Sequence, residues 1–249
     1  MFFDYIIEII CRQMAQYPLD FTAFFWFLVC WTGYTYVVDN YLRGFRGLSA
    51  RMHLYRVQWM TMALQRENRM VEISIIKNIQ SSVSFLASTA ILIIAGLLAM
   101  VSSSSMAISI IKQIPFAEHS SKIVWYTKMF VLVYLFVYSF FKLTWALRQM
   151  NYCAIMIGAM PLVHNASDLQ GYIPTARRTA MVATMAAKEM NRGIRAYYFG
   201  IAVFVWLINP ILFILASLWV VLVLYRREFK SEVIKVMSMP SKLSSQSAT

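Results

Sequence analysis

VSFLASTAILIIAGLLAMV, residues 83–101, contains no charged side chain. As an α-helix these 19 residues would be about 28 Å long, which is close to the thickness of the hydrocarbon core of a bilayer. Hydrophobic residues make up 60% of the chain and charged residues 14%, whereas soluble proteins have roughly 45–50% and about 25%. The stretch is therefore predicted to cross a membrane, and lipid is the expected solvent for most of the protein.

Three other apolar segments repeat this pattern, so the sequence predicts an all-α integral membrane protein with four transmembrane helices. The predicted spans are about 19–38, 83–101, 124–147 and 199–224. They belong to a single transmembrane helical domain, 18–235. Residues 1–17 have an apolar and a charged face, which predicts an interfacial amphipathic helix. Residues 236–249 are rich in serine and are predicted to be a disordered tail.

Polar residues inside the predicted spans lead to three local expectations. Asp20 is expected to cap the first span. In the third span Lys128 and Lys142 are expected to extend their amines to opposite membrane surfaces, because a buried cation in lipid is costly. In the fourth span Asn209 and Pro210 predict a kink near the middle of one helix.

The two long connections, residues 39–78 and 146–196, carry seven and six Lys and Arg residues. The N-terminal segment carries one and the middle connection three. The positive-inside rule then predicts that both long connections lie in the cytoplasm and that the N-terminus is outside. The connections are expected to form long amphipathic helices. From Ser49 onward the first of them has no Gly or Pro, which favours a helix that continues into the second span. In the second long connection a new helix is expected after Gly171 and Pro174.

The C-terminal tail has five basic residues. With four spans it would lie on the same side as the N-terminus, which is against the positive-inside rule.

A basic surface on the two long connections is the candidate site. Arginine accompanied by amides suits phosphate or carboxylate recognition, because the guanidinium presents two parallel donors. The alternative interpretation is an ordinary positive-inside face. Lys142, in the third span, is interpreted as a partner of Asp39, as a contact for lipid phosphate, or as a residue that only reaches the interface. The candidate ligand-binding or headgroup-binding residues are Arg51, His53, Arg56, Arg66, Asn68, Arg69, Glu72, Lys142, Arg148, Asn151, Asn191 and Arg195.

Other chemistries have little support in the sequence. The three histidines show no metal-ligand spacing, and the chain has no GxSxG, P-loop, HExxH or GxGxxG motif. We therefore expect no catalytic residue, no metal and no cofactor. The net charge of +12 does not indicate nucleic acid, because the basic residues lie between apolar segments rather than on a soluble core. The expected partners are anionic lipid headgroups, and possible further partners are other membrane proteins or a second copy.

Several strings resemble a known family. They are MHLYRVQWM (52–60), FVYSFFKLTWALRQMNY (136–152), NRGIRAYYF (191–199) and LYRREFKS (224–231), together with the stretch from Ser82. The chain resembles the domain of unknown function family 599, multi-pass membrane proteins of bacteria and plants, over roughly residues 20–232. The resemblance implies architecture, adds no catalytic residue, and places a bacterial member in the inner membrane.

Three classes of function remain open. The first is a structural or assembly partner of a membrane complex, and the sequence favours it because four spans with few buried polar groups offer little for a translocation path. Such a partner would dock through a stripe of small residues on the second span, Ser84, Ser88, Ala95 and Ala99, which lets another helix approach. The second is a transporter or channel for a small anionic solute. The third is an enzyme or binder that acts on anionic lipid.

Overall fold

The computed structural model describes residues 16–41, 48–111, 113 and 121–237. Within these ranges the chain forms helices and no strand. The helices are α1 (Pro18–Tyr41), α2 (Leu48–Ala63), α3 (Met70–Ser102), α4 (Ser104–Ile111), α5 (Lys122–Gly158), α6 (Ala166–Trp206), α7 (Pro210–Phe229) and α8 (Glu232–Met237). Four segments are long and apolar enough to cross a membrane: Pro18–Asp39, Met70–Ser102, Lys122–Gly158 and Pro210–Met237. The predicted all-α fold with four helices of this kind is confirmed.

The main core lies among α1, α5, α6 and α7. Phe27 of α1, Phe136 of α5, Phe199 of α6 and Phe213 of α7 are each at most 2% exposed. The ring of Phe27 lies 5.8 Å from that of Phe199 and 5.4 Å from that of Phe213, measured between centroids. The last turns of α6 are therefore as deeply packed as the helices on either side of them.

A second core lies beyond the first at one end of the bundle, and it joins α2 to α3, α5 and α6. Met60, Ile76, Cys153 and Ala180, one residue from each helix, are all buried there. The helices α3, α5 and α6 have 33, 37 and 41 residues, and at 1.5 Å per residue each is longer than a bilayer core is thick. We call this end the basic end, because α2, which carries Arg51 and Arg56, is packed there.

The chain reverses direction between α6 and α7. Asn209 caps α7: its Oδ1 accepts hydrogen bonds from the backbone N–H groups of Ile211 and Leu212, at 2.8 and 3.4 Å. Pro210 takes the first helical position, where its missing N–H has no cost. The rings of Trp206 and Phe213 stack across the turn with centroids 4.9 Å apart. The predicted fourth span, 199–224, is therefore two antiparallel segments and not one kinked helix.

This reversal returns the C-terminal end of α7 to the basic end. The Glu228 Oε1 accepts hydrogen bonds from the Ser49 backbone N–H and hydroxyl, at 3.3 and 3.0 Å. Arg227 donates to the hydroxyl of Tyr198, eight residues before the end of α6. The end of α7 and the start of α1 therefore lie at opposite ends of the bundle, against the expected shared side, because α6 passes through the bundle before the reversal.

A buried ion pair lies at the opposite end. The Lys128 Nζ of α5 is 2.8 Å from the Asp20 Oδ1 of α1, and the side chains are 1% and 4% exposed. The Trp206 indole N–H donates to the same oxygen at 2.7 Å. Lys128 therefore does not extend to the membrane surface. The Asp20 carboxylate forms an ion pair in the core and does not act as the expected helix cap. A charge in a low-dielectric core is tolerated when an opposite charge and a hydrogen-bond donor accompany it.

Two connections also differ from expectation. The helix after Ser49 does not continue into the next, since α2 ends at Ala63 and α3 begins at Met70. α6 begins at Ala166 and includes Pro174, so the helix starts before the predicted break. The backbone N–H of Val163 donates to the Leu64 carbonyl at 2.9 Å, which ties the two connections to each other. The predicted interfacial helix, 1–17, and serine-rich tail, 236–249, lie almost entirely outside the described residues.

Replacing Lys128 by Met should lower the free energy of unfolding by about 3–5 kcal/mol, because the substitution leaves Asp20 charged and unpaired in the core. Unfolding of the purified protein in detergent measures this. Lys122→Met, at an exposed position on the same helix, is the matched control and should change stability by less than about 0.5 kcal/mol. Equal effects of the two substitutions would contradict the role of the pair.

Candidate anion-binding cavity

A chain of charged side chains joins α5, α6 and α1 at the basic end. The Lys142 Nζ lies 2.8 Å from the Glu189 Oε2, and Glu189 also accepts from Arg192. The Arg192 Nη2 lies 2.5 Å from the Asp39 Oδ2, and the Arg195 Nη2 lies 3.3 Å from the Asp39 Oδ1. The predicted pair between Lys142 and Asp39 is therefore wrong, because α6 places Glu189 and Arg192 between them.

Next to this network a cavity of about 820 Å³ lies among α1, α2, α6 and α7. Along α6 it extends from Met181 to Tyr198, which is about 25 Å of helix. Its apolar lining includes Val38 of α1 and Leu224 of α7, both within segments of membrane-spanning length. Its charged and polar lining comprises Asp39, Ser49, His53, Arg56, Thr184, Lys188, Asn191, Arg195, Arg227, Glu228 and Ser231.

Most of the charged lining residues have partners. Asp39 is paired with two arginines, Glu228 accepts from Ser49, and Arg227 donates to Tyr198. Arg56 and Lys188 differ: within the described ranges neither has an ion pair or a hydrogen bond, although both are partly buried. Burial lowers the pKa of Arg56 below its ordinary value, because desolvation disfavours the charged guanidinium.

His53 lies one helical turn before Arg56 on α2 and also lines the cavity. Its Nδ1 is 2.9 Å from the Thr184 hydroxyl of α6. Burial lowers the pKa of His53, and the nearby Arg56 charge lowers it further. Both effects favour the neutral imidazole.

Four of the residues predicted from the sequence meet at this cavity: His53, Arg56, Asn191 and Arg195. Three others bond elsewhere. Arg51 donates to the Ile234 carbonyl at 3.4 Å, Arg148 donates to the Tyr152 hydroxyl at 2.8 Å, and Asn151 accepts from Gln80 at 2.7 Å.

The remaining candidates lie in the turn between α2 and α3 or in the first turn of α3. Arg69 donates to the carbonyls of Ile157, Met160 and Pro161 at 2.9, 2.5 and 2.8 Å, at and just after the end of α5. Glu72 is fully buried and lies 2.5 Å from Arg66. The Asn68 Oδ1 accepts from the Met70 N–H at 2.9 Å. These contacts hold the two turns at the basic end together.

Several lining residues were not predicted from the sequence, among them Thr184, Lys188 and Arg227. Thr184 and Lys188 precede Asn191 and Arg195 at intervals of four, three and four residues, which places all four on one face of a helix. That signal was present in the sequence. Arg227 could not be assigned to the site without the reversal between α6 and α7.

Metal binding has no structural support among the described residues, where no group of three or more His, Cys, Asp and Glu side chains could hold a metal ion. What the cavity offers is positive charge: Arg56 and Lys188 present donors in a partly buried space with apolar walls. The arrangement can bind an anionic group.

Replacing Asp39 by Asn should destabilise the protein by about 1–3 kcal/mol, because Arg192 and Arg195 lose their shared carboxylate. The free energy of unfolding in detergent is the measurement. Asp168→Asn, at an exposed position in the first turn of α6, should have a smaller effect. If the two variants unfolded alike, the network would not be needed to hold α1 against α6.

No curated protein and no solved structure matches this chain. A family model described as protein of unknown function, DUF599, matches residues 22–233. The match includes α2, α3, α5, α6 and α7, and therefore most of the cavity lining. It also confirms the resemblance noted in the sequence. The chain belongs to the DUF599 family.

Proposed function

We propose that this protein binds an anionic ligand, through a phosphate or carboxylate group, in the cavity at the basic end. The observation that supports this proposal is that Arg56 and Lys188 line the cavity and form no ion pair with any described carboxylate. A partly buried cation without a partner is costly, and a bound anion would offset that cost. Arginine is also suited to a phosphate or carboxylate, since two parallel N–H groups can donate to one such group.

The sequence offers few carboxylates that could take the place of a ligand. The segments 40–47 and 238–249, which adjoin helices of the basic end, contain no Asp or Glu. Asp39 and Glu228, the two acidic residues of the lining, are already engaged by Arg192, Arg195 and Ser49. An external anion is therefore the best source of counter-charge for Arg56 and Lys188.

Long-range electrostatics favours the same ligand class. Residues 39–78, 146–196 and 226–249 carry seven, six and five Lys and Arg residues, against three, two and two Asp and Glu. All three segments have described residues packed at the basic end. Such an excess of positive charge raises the local concentration of anions.

The anion could be a lipid headgroup or a soluble ion, because the two share the same chemistry. The apolar walls at Val38 and Leu224 suit a hydrocarbon chain, while Arg56 lies on α2, which is not among the helices of membrane-spanning length. Both sources are therefore included in the test.

The other two functions stay predictions. Ser84, Ser88, Ala95 and Ala99 are exposed on α3, as an assembly surface requires, but lipid can cover the same face. A transported anion would need a path past the packed rings of the main core.

The test compares binding to the purified protein in nanodiscs of phosphatidylcholine. Sulfate should raise the midpoint of thermal unfolding relative to chloride at equal ionic strength, or phosphatidylglycerol should be retained over phosphatidylcholine in native mass spectrometry. Arg56→Gln should lower the affinity for the anion that binds by at least about 10-fold, because a hydrogen bond to a charged group contributes roughly 1.5–3 kcal/mol. Lys188→Gln should act in the same direction.

Arg178→Gln is the matched control, since Arg178 is exposed on α6 and does not line the cavity. A response to sulfate alone identifies a soluble anion, and a response to phosphatidylglycerol alone identifies a lipid. The proposal fails if neither anion binds, or if Arg178→Gln reduces binding as much as Arg56→Gln.

A further inference from the structure

We infer that anion binding in this cavity is coupled to protonation of His53, so that a proton and an anion bind together. The inference rests on the proposed function and adds a regulatory property to the same site. It follows from the hydrogen-bond direction at His53 and from the charges around the cavity.

The tautomer of neutral His53 follows from its partner. The Thr184 hydroxyl has one hydrogen, and it donates that hydrogen to the Ala180 carbonyl at 2.8 Å. With that hydrogen on the Ala180 carbonyl, the Thr184 oxygen accepts in the 2.9 Å contact with His53, and this arrangement puts the proton of the neutral ring on Nδ1. The Nε2 of the neutral ring is then a lone-pair acceptor, and no described residue donates to it.

A lone pair on Nε2 is unsuited to an anion. When His53 gains a proton, Nε2 becomes an N–H donor and the ring becomes a cation, while Nδ1–H keeps its bond to Thr184. The protonated ring then adds to Arg56, one turn away, and to Lys188, one turn after Thr184 on α6. Protonation thus changes His53 from a repulsive to an attractive neighbour of a bound anion.

The other charges that line the cavity explain why protonation of His53 needs a bound anion. Without an anion His53 faces a cavity in which cations outnumber carboxylates: Arg56, Lys188, Arg195 and Arg227 against Asp39 and Glu228. Burial and the Arg56 charge keep its pKa low in that state. A bound anion adds negative charge and raises the pKa.

The sign of the pH effect follows from linkage. Because the pKa of His53 is higher in the bound state than in the free state, binding takes up a proton between those two values. In that window affinity increases as pH falls, by up to about 10-fold per pH unit for one proton. Below the lower pKa the ring is protonated in both states, and affinity stops changing.

The test measures sulfate affinity of the full chain in phosphatidylcholine nanodiscs from pH 8 to pH 5.5, where sulfate itself does not titrate. The wild type should bind about 5- to 10-fold more tightly at pH 6 than at pH 8. His53→Gln should remove most of this dependence, and His164→Gln, an exposed control outside the cavity, should preserve it. If phosphatidylglycerol is the anion that binds, its retention is measured over the same pH series.

Calorimetry of the unmodified chain gives a second measurement that does not depend on the folding of a variant. Binding heats in two buffers of different ionisation enthalpy should show proton uptake near pH 7. Anion binding without proton uptake and without pH dependence would overturn the inference and leave the proposed function intact. Absence of binding by both anions at every pH would reject the proposed function, and the inference with it.

Discussion

The reversal at Leu207–Asn209 is the constraint on which the rest of the structure depends. A proline at the first position of α7 and an asparagine cap favour the start of a new helix, and the stacking of Trp206 on Phe213 sets the two helices side by side. As a result α7 runs back through the main core beside α6 and ends beside α2. Arg227 and Glu228 can only then meet His53 and Arg56 at one cavity.

Charge compensation explains the arrangement of the polar groups. In the main core one carboxylate, Asp20, receives both Lys128 and the Trp206 indole. At the basic end Glu189 pairs with Lys142 and Arg192, and Asp39 pairs with Arg192 and Arg195. Within the described residues this compensation stops at the cavity, where two partly buried cations face open volume. The same physical rule that stabilises the core therefore identifies the place where a ligand would be stabilising.

The sequence was sufficient for the helical class, for helices of membrane-spanning length and for four of the cavity residues, because these follow from composition and helical spacing. It could not distinguish a kink from a reversal at Asn209, since a cap followed by proline is compatible with either, and packing against Phe27 and Phe199 settles the outcome. Lys128 was misassigned because its partner is 108 positions away. Arg66 and Arg69 look like ligand residues in sequence, but their carboxylate and carbonyl partners are fixed by the turns.

Cysteine accessibility across the membrane tests most directly whether α6 passes through the bundle. Single cysteines would replace Ser103, after the end of α3, and Glu232, after the end of α7, both exposed, in a chain whose three native cysteines are changed to alanine. A membrane-impermeant maleimide should label the two positions from opposite sides, with Glu232→Cys reacting on the side of the basic connections. Labelling of both positions from the same side would contradict the reversal and the cavity that depends on it.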